Sequence, residues 1–594
     1  MFDICPSIFV NSSISYSGFL KTPKLAFGYR FWEVSGLKVP KIRKDLKFDV
    51  YDCDFERKPV MISSGPNLKF YTPTVADFCT LNYLGGNCKR VGVALPDDPL
   101  WSAQLARKIF NRIMKKYKIV PLSPDSDTSF ETWVAKCPYP EGRRQELRNT
   151  HSEWDGKLNK KVFDVKQFGK METHDRAWKH IRLINARSDI FKCLFGPIVR
   201  LMEEKVYYDP ETGSGIPAFI KHIPVPDRPK YIKEMLDIPG MTLVATDYTS
   251  FESHFSEKLM NEVEFLLYEY LTRDLPEHNF FMYLCKEVIA GRNNCVGKGY
   301  TLKLDATRMS GEMTTSLGNG FANFMFMNIA CELMRSECHG VVEGDDGLFV
   351  INGAIPTPEI FSQLGLNIKL DVHKDFSTAS FCGMIFDRFD MLNVTDPQKV
   401  LLNFGWCSKF YVNCGERRLK ELLRAKSYSY AYMYRGCPIV QSLANYGLRM
   451  TKGIDVRRLL ESTKGTFSNE WERKRLVAAL EPKAKIDMID IPLSTRQLVH
   501  EKFGISPEEQ REIESWLDNL TEICELHHPV FEHWDWGASE VFDEYYTSFS
   551  RCPPNFDVPI GLFENVLDHI NLHSNATNYS TLFKAIDEPI ENLA

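Results

Sequence analysis

The stretch that most limits what this chain can fold into is VVEGDDGLFVI, from Val341 to Ile351. Two β-branched residues run into Gly344-Asp345-Asp346 and a second apolar run follows, which predicts a hairpin whose tight turn carries carboxylates. A Gly-Asp-Asp triplet alone is equally an exposed turn, because Gly and Asp are ordinary turn residues. Two other stretches change its meaning. Upstream, MTLVATDYTSFESHF ends a strand-like run on Asp247, and Glu252 follows at the start of a helical pattern. Between them, RMSGEMTTSLGNGFANFMFMN is a small-residue loop running into an apolar helix. Phosphoryl transfer by two divalent ions needs carboxylates from separate strands at a metal spacing of about 3.5–4 Å, with hydroxyl and amide groups to hold a sugar. These three stretches supply that set.

Asp247-x-x-x-x-Glu252, then Ser310-Gly311-x-x-x-Thr315-x-x-x-Asn319, then Gly344-Asp345-Asp346 resemble motifs A, B and C of RNA-dependent RNA polymerases of positive-strand RNA viruses. Motif B is most similar to that of the tombusvirus-like and flavivirus-like lineages. The resemblance implies an α+β right hand of fingers, palm and thumb, with an antiparallel palm sheet flanked by helices. It implies synthesis of RNA from NTPs on a single-stranded RNA template, replicating and transcribing a viral genome. Asp247, Asp345 and Asp346 would be its catalytic carboxylates and hold Mg2+, or Mn2+ in its place. Glu252, Ser310, Gly311, Thr315 and Asn319 would bind the NTP and test for the ribose 2′-OH, the group that separates RNA from DNA substrates. Glu252 stands where the family usually has Asp and is one methylene longer, so hydrogen bonds from Ser310 or Thr315 are expected to hold it back.

Alternation in KHIRLINAR predicts a strand projecting Lys179, Arg182 and Arg187, with Lys170 upstream. A basic exposed strand has the same pattern. The stretch resembles motif F, whose fixed cations would bind the triphosphate and stabilise departing pyrophosphate. Beyond the hairpin, LGLNIKLDVHKDFSTASFCGMIFD resembles motifs D and E. Lys374 is the implied general acid for pyrophosphate, with Lys369 and His373 as competitors, and Phe381-Cys382-Gly383 is the turn gripping the nascent RNA. Gly297-Lys298-Gly299 lacks the rest of a Walker A loop and predicts a hairpin turn.

At 594 residues the chain is too long for one core. Expected are fingers and an N-terminal strap over 1–235, with motif F at about 166–190. A palm over 236–400 follows, with a fingers insertion at about 274–305, then a helical thumb and acidic tail over 401–594. Net charge is −5, yet Glu501 to Ala594 holds 19 acidic against 4 basic residues, so the first 500 carry the positive excess that RNA needs. The helix predicted over WSAQLARKIFNRIMKKYK spreads Arg107, Lys108, Arg112, Lys115 and Lys116 over its surface, as a solvated face or an RNA rail. Tyr83 to Asn87 is turn-rich, and Ser506-Pro507-Glu508-Glu509 is a strong helix start. Sixteen cysteines without a CxxC pair point to reduced thiols. No apolar run approaches the roughly 20 residues of a membrane span, and MFDICPSIFVNSSISYSG is no signal peptide. The expected location is the host cytoplasm, at membrane-associated replication complexes reached through viral or host anchoring proteins. Two rivals remain: a reverse transcriptase, which usually has an aromatic residue before its Asp pair where this chain has Glu343-Gly344, and an inactive RNA-binding polymerase-like protein, against which the intact Asp247, Asp345 and Asp346 argue.

Overall fold

Alternation along the LFVI run sends its residues to opposite sides of a sheet that is covered on both faces. The computed structural model describes residues 43–540 except 51–60, 76–77, 79, 171, 175–180, 409–410, 412–413, 461–469 and 537–538. Lys179, and the tail beyond 540, therefore lie outside the described residues. In chain order the elements used below are β1 (Lys47–Val50), α1 (Thr80–Arg90), α2 (Ala103–Lys116), β2 (Val165–Gly169), β3 (Leu183–Arg187), α3 (Asp189–Val206) and β4 (Thr242–Tyr248). They continue with β5 (Arg292–Val296), β6 (Tyr300–Asp305), α4 (Thr315–Leu333), β7 (Glu337–Glu343), β8 (Asp346–Asn352), β9 (Ile368–His373), β10 (Ser380–Phe381), β11 (Met384–Phe386) and β12 (Asn393–Val394). Helices α5 (Glu416–Met433), α6 (Val440–Met450), α7 (Leu493–Phe503) and α8 (Pro507–Asn519) follow.

The central sheet is antiparallel in the order β7-β8-β4-β9. Val244, Val342, Phe349 and Ile351 join one buried cluster with α2, α3 and α4. Leu243, Val341, Leu348 and Val350 join the other, with β10 to β12 and helices α5 to α8. Full burial of each such side chain is worth about 1.5–3 kcal/mol, so the sheet is clamped from both sides. The outer edge of β7 is covered too, because Val342 N donates to Ala218 O at 2.8 Å. Helix α4 is buried all round from Leu317 to Met327, as a largely apolar helix in a core must be.

A second sheet of five strands runs β1-β6-β5-β2-β3, so the 292–305 hairpin pairs with strands from the first two hundred residues. Its turn is the predicted Gly297-Lys298-Gly299, with Gly299 at φ +76°. Tyr83 to Asn87, expected as a turn, is instead the middle of α1. The small residues serve contact: a Cβ on Gly86 would come within 2.5 Å of Ile181 O. Asn87 is buried and bonds Tyr83 O, Gln167 and Tyr300, fastening α1 to this sheet. Ser506 and Glu509 form a complete capping box on α8. The aromatic stretch after Pro529 covers apolar surface: Trp536 stacks on Tyr71 at 5.4 Å, and 539–540 pair with 71–72. Among the described residues no helix is long and apolar enough to cross a membrane.

His254 ties β9 to the segment after β4. Its Nδ1 donates to Phe251 O at 3.1 Å and its Nε2 accepts from Asn367 N at 2.8 Å, an arrangement only the neutral ring allows. Burial pushes its pKa down from 6.5 to about 4. The folded value lies below the unfolded one, so this stability is fully present above pH 6.5 and is lost as pH falls towards 4, by about 3 kcal/mol in all. The difference in unfolding midpoint between wild type and His254→Gln, followed from pH 7.5 to 4.5, should shrink across that window. A pH-independent difference would remove the assignment.

Candidate active site

Strands β7 and β8 pair from Glu337–Asn352 to Glu343–Asp346, which leaves Gly344 and Asp345 as a two-residue turn. Gly344 takes φ +65°, as the first position of a II′ turn requires. Asp345 therefore sits at the tip and Asp346 opens β8. Asn323 on α4 donates to Asp345 O at 2.9 Å and holds the tip over the helix. Gly347 pairs with Thr246 on β4, and a Cβ there would lie 2.6 Å from Thr246 Oγ1, so the glycine permits the close approach. One step along this register Asp346 comes opposite Asp247, and opposed residues share a face. All three acidic residues are open to solvent at the sheet end.

Asp345 and Asp346 stand in a recess where protein around them penalises charge. Burial, reinforced by the charge of Glu252, raises the pKa of Asp345, while Arg182 and Arg90 oppose the rise. Burial and then Asp345 push Asp346 up to about 6. Cys382, at the β10–β11 turn, approaches Glu343 at 3.8 Å and bonds Asp346, so this turn closes one side of the recess. Crowded carboxylates of this kind fit divalent cations. Among the described residues no three such ligands already converge into a cage.

The lysine beside Asp247 is Lys369, which pairs directly with it across β9 and β4. Its pKa is raised by the hydrogen bond to Asp371, with Asp247 adding to the effect. Lys374, the implied general acid, follows His373, which pairs with Leu243 at the other end of the strand. Five residues of strand put it roughly 16 Å further on. The expectation counted residues from Gly365, and the antiparallel register carries those residues away from Asp247.

Ser310 lies where β3 meets the loop before α4: its Oγ donates to Leu183 O at 3.0 Å and accepts from Asn185 N at 3.2 Å. Gly311 N donates to Asn185 O, and a Cβ on Gly311 would be 2.8 Å from that oxygen. Thr315 Oγ1 donates to Met309 O, and Asn319 accepts from Arg308. Neither Ser310 nor Thr315 holds Glu252. Arg90, at the end of α1, pairs with it at 3.0 Å. Nothing in the local sequence around Arg90 marked it, because the contact spans 162 residues.

The two arginines of β3 and its approach part company. Arg182 is half exposed, pairs with Glu172 at 3.2 Å, and its charge reaches Asp345; Lys170 pairs with the same Glu172. Arg187 is buried, with its side chain 2% exposed. Its guanidinium donates to Glu312 at 2.8 Å, Phe163 O at 2.8 Å and Asn293 at 2.6 Å. Its donors face protein groups, which corrects the expected outward projection. Strand alternation leaves open which way Arg187 faces, and the buried acid at 312 draws it inwards.

A family model described as viral RNA dependent RNA polymerase matches residues 133–525, which includes every carboxylate and loop of this site. A search of the curated proteins finds no match.

Proposed function

We propose, for a chain that belongs to the viral RNA-dependent RNA polymerase family and is therefore an RNA-directed RNA polymerase, that nucleotidyl transfer takes place at the open end of the central sheet. The observation that carries this reading is the pairing of Gly347 with Thr246, a register that one step further brings Asp346 opposite Asp247, with Asp345 on the adjoining turn. The central sheet would be the palm, the five-stranded sheet part of the fingers, and α5 to α8 the thumb. Asp247 and Asp345 would hold two divalent ions, Mg2+ or Mn2+, with Asp346 assisting. When bound, such ions lower the pKa of the primer 3′-OH and offset charge on the departing pyrophosphate.

The chain's own residues do the rest. Arg182 and Lys170, already oriented by Glu172, receive the triphosphate. Asn319, Ser310, Thr315 and Glu252 surround the sugar, and a site built to bond a hydroxyl rejects its absence because buried partners stay unpaired. Lys369 is placed to protonate pyrophosphate. Accordingly, Lys369→Ala should lower kcat by about tenfold to a hundredfold with little change in nucleotide KM, and Lys374→Ala should leave both near wild type. Single-turnover incorporation tests this, and the reverse ranking would restore Lys374. The same reading places the enzyme in the host cytoplasm, replicating and transcribing a viral genome at membrane-associated complexes reached through viral or host partners.

Extension of an RNA primer on an RNA template, with and without Mg2+, tests the whole reading. Incorporation confined to NTPs and to reactions with the metal supports it. Efficient use of dNTPs would favour a reverse transcriptase. Tight RNA binding without extension would mark an inactive polymerase-like fold.

A further inference from the structure

Arg308 is fully buried and its side chain is 0% exposed, a costly place for a cation unless every donor is used. Nε donates to Asn319 Oδ1 at 3.0 Å, Nη1 to Thr314 at 3.3 Å, and Nη2 to Glu264. The guanidinium lies over the Phe255 ring at 4.4 Å, and Glu312 stands 3.6 Å away. Its own N–H donates to Glu252 O at 3.1 Å. One residue thus touches both Glu252 and Asn319, which sit on different elements.

Three features show that the local structure is shaped around this contact. Ala306 and Thr307 precede Arg308 with φ of +49° and +76°, a left-handed pair that non-glycine residues seldom adopt, of the sort held only where surroundings enforce it. Glu264 ends a π-helical turn, Met260–Glu264, inside the segment after β4. Gly318, beside Asn319, is open where a Cβ would strike Glu264 at 2.3 Å and Arg308 at 2.7 Å.

A guanidinium has donors and no acceptor, so only the amide oxygen of Asn319 can face it. The amide nitrogen must then point the other way, and among the described residues it has no acceptor. We propose that Arg308 is a positioning residue for sugar recognition, fixing Asn319 as a hydrogen-bond donor for the ribose 2′-OH while holding the main chain of Glu252 beside it. This rests on the reading of Asn319 as a sugar contact.

The test is the ratio of kcat/KM for a matched NTP and dNTP. Arg308→Lys keeps the charge beside Glu264 and the main-chain bond to Glu252 but lacks Nε. It should cut the ratio about tenfold, mainly by slowing NTP use. In an Asn319→Ala background the same change should leave the ratio where Asn319→Ala alone puts it, since Arg308 acts through that amide. Should Arg308→Lys fail to fold, the double variant Arg308→Met with Glu264→Gln also removes the donor, leaves Glu312 paired with Arg187, and should give the same loss. A purely structural role would lower NTP and dNTP use together with the ratio intact, and that result overturns the proposal. If Asn319→Ala also leaves the ratio unchanged, the sugar reading of Asn319 falls with it. If Asn319→Ala lowers the ratio and the Arg308 variants do not, only the role of Arg308 falls.

Discussion

Asp345→Asn should reduce nucleotide addition on the order of a thousandfold or more while leaving the unfolding midpoint and RNA affinity within error of wild type. The substitution is isosteric and falls on the exposed tip of a two-residue turn, where Asn323 holds the main chain through a carbonyl that the variant keeps. No core contact is lost. The charge removed is one that the fold holds against a penalty, since the pKa of Asp345 is raised by burial and by Glu252. Stability should therefore be unchanged or slightly higher, and Asp346, now without that neighbour, should titrate below about 6. Single-nucleotide extension with Mg2+, together with a thermal scan, measures both effects. A variant that extends at near wild-type rate would take Asp345 out of the ligand set. A variant that unfolds would show that the hairpin needs the carboxylate for its structure.

The hairpin was legible because its information is local. A period of two, a glycine where the turn needs positive φ, and β-branched flanks all lie within eleven residues, Val341 to Ile351. The helix that begins at Ser506 was legible for the same reason, its cap and box lying within four positions. Contacts closed over long separations were not. Arg90 meets Glu252 across 162 residues, and neither flank carries a pattern that announces it. Asn87, read as part of a turn, is a helix residue whose amide finds partners 80 and 213 positions away. Which lysine lies beside Asp247 was not legible either, because it is the antiparallel pairing of β9 with β4 that sets Lys369 there, five positions before Lys374. Arg187 shows the sharpest limit, because strand alternation tells which residues share a face and leaves open whether that face meets solvent or a buried acid.

The contrast between Arg182 and Arg187 yields the other large effect. Arg187, Glu312, Arg308 and Glu264 form a buried chain of alternating charge, with side chains 0–2% exposed, that joins β3, the loop before α4 and the π turn. Two cations balance two anions. Removing Arg187 alone leaves Glu312 buried with an excess negative charge, and Asn293 loses the donor to its amide oxygen. Breaking such a pair costs about 3–5 kcal/mol, because the remaining ion has neither water nor partner. Arg187→Met should therefore lower the unfolding midpoint markedly and expose this region to limited proteolysis. Adding Glu312→Gln deletes the terminal pair, leaves Arg308 balanced by Glu264, and should recover a large part of the loss. Arg182→Ala should behave oppositely: the midpoint stays put, because an exposed pair with Glu172 is worth at most about 1 kcal/mol, while the nucleotide KM rises about tenfold. If Arg182→Ala instead weakened RNA binding, steeply with salt, it would be tracking the template backbone. If Arg187→Met melted with wild type and raised KM, its guanidinium would have to leave the pocket during the cycle, and the buried chain would be a resting state of the loop and not its scaffold.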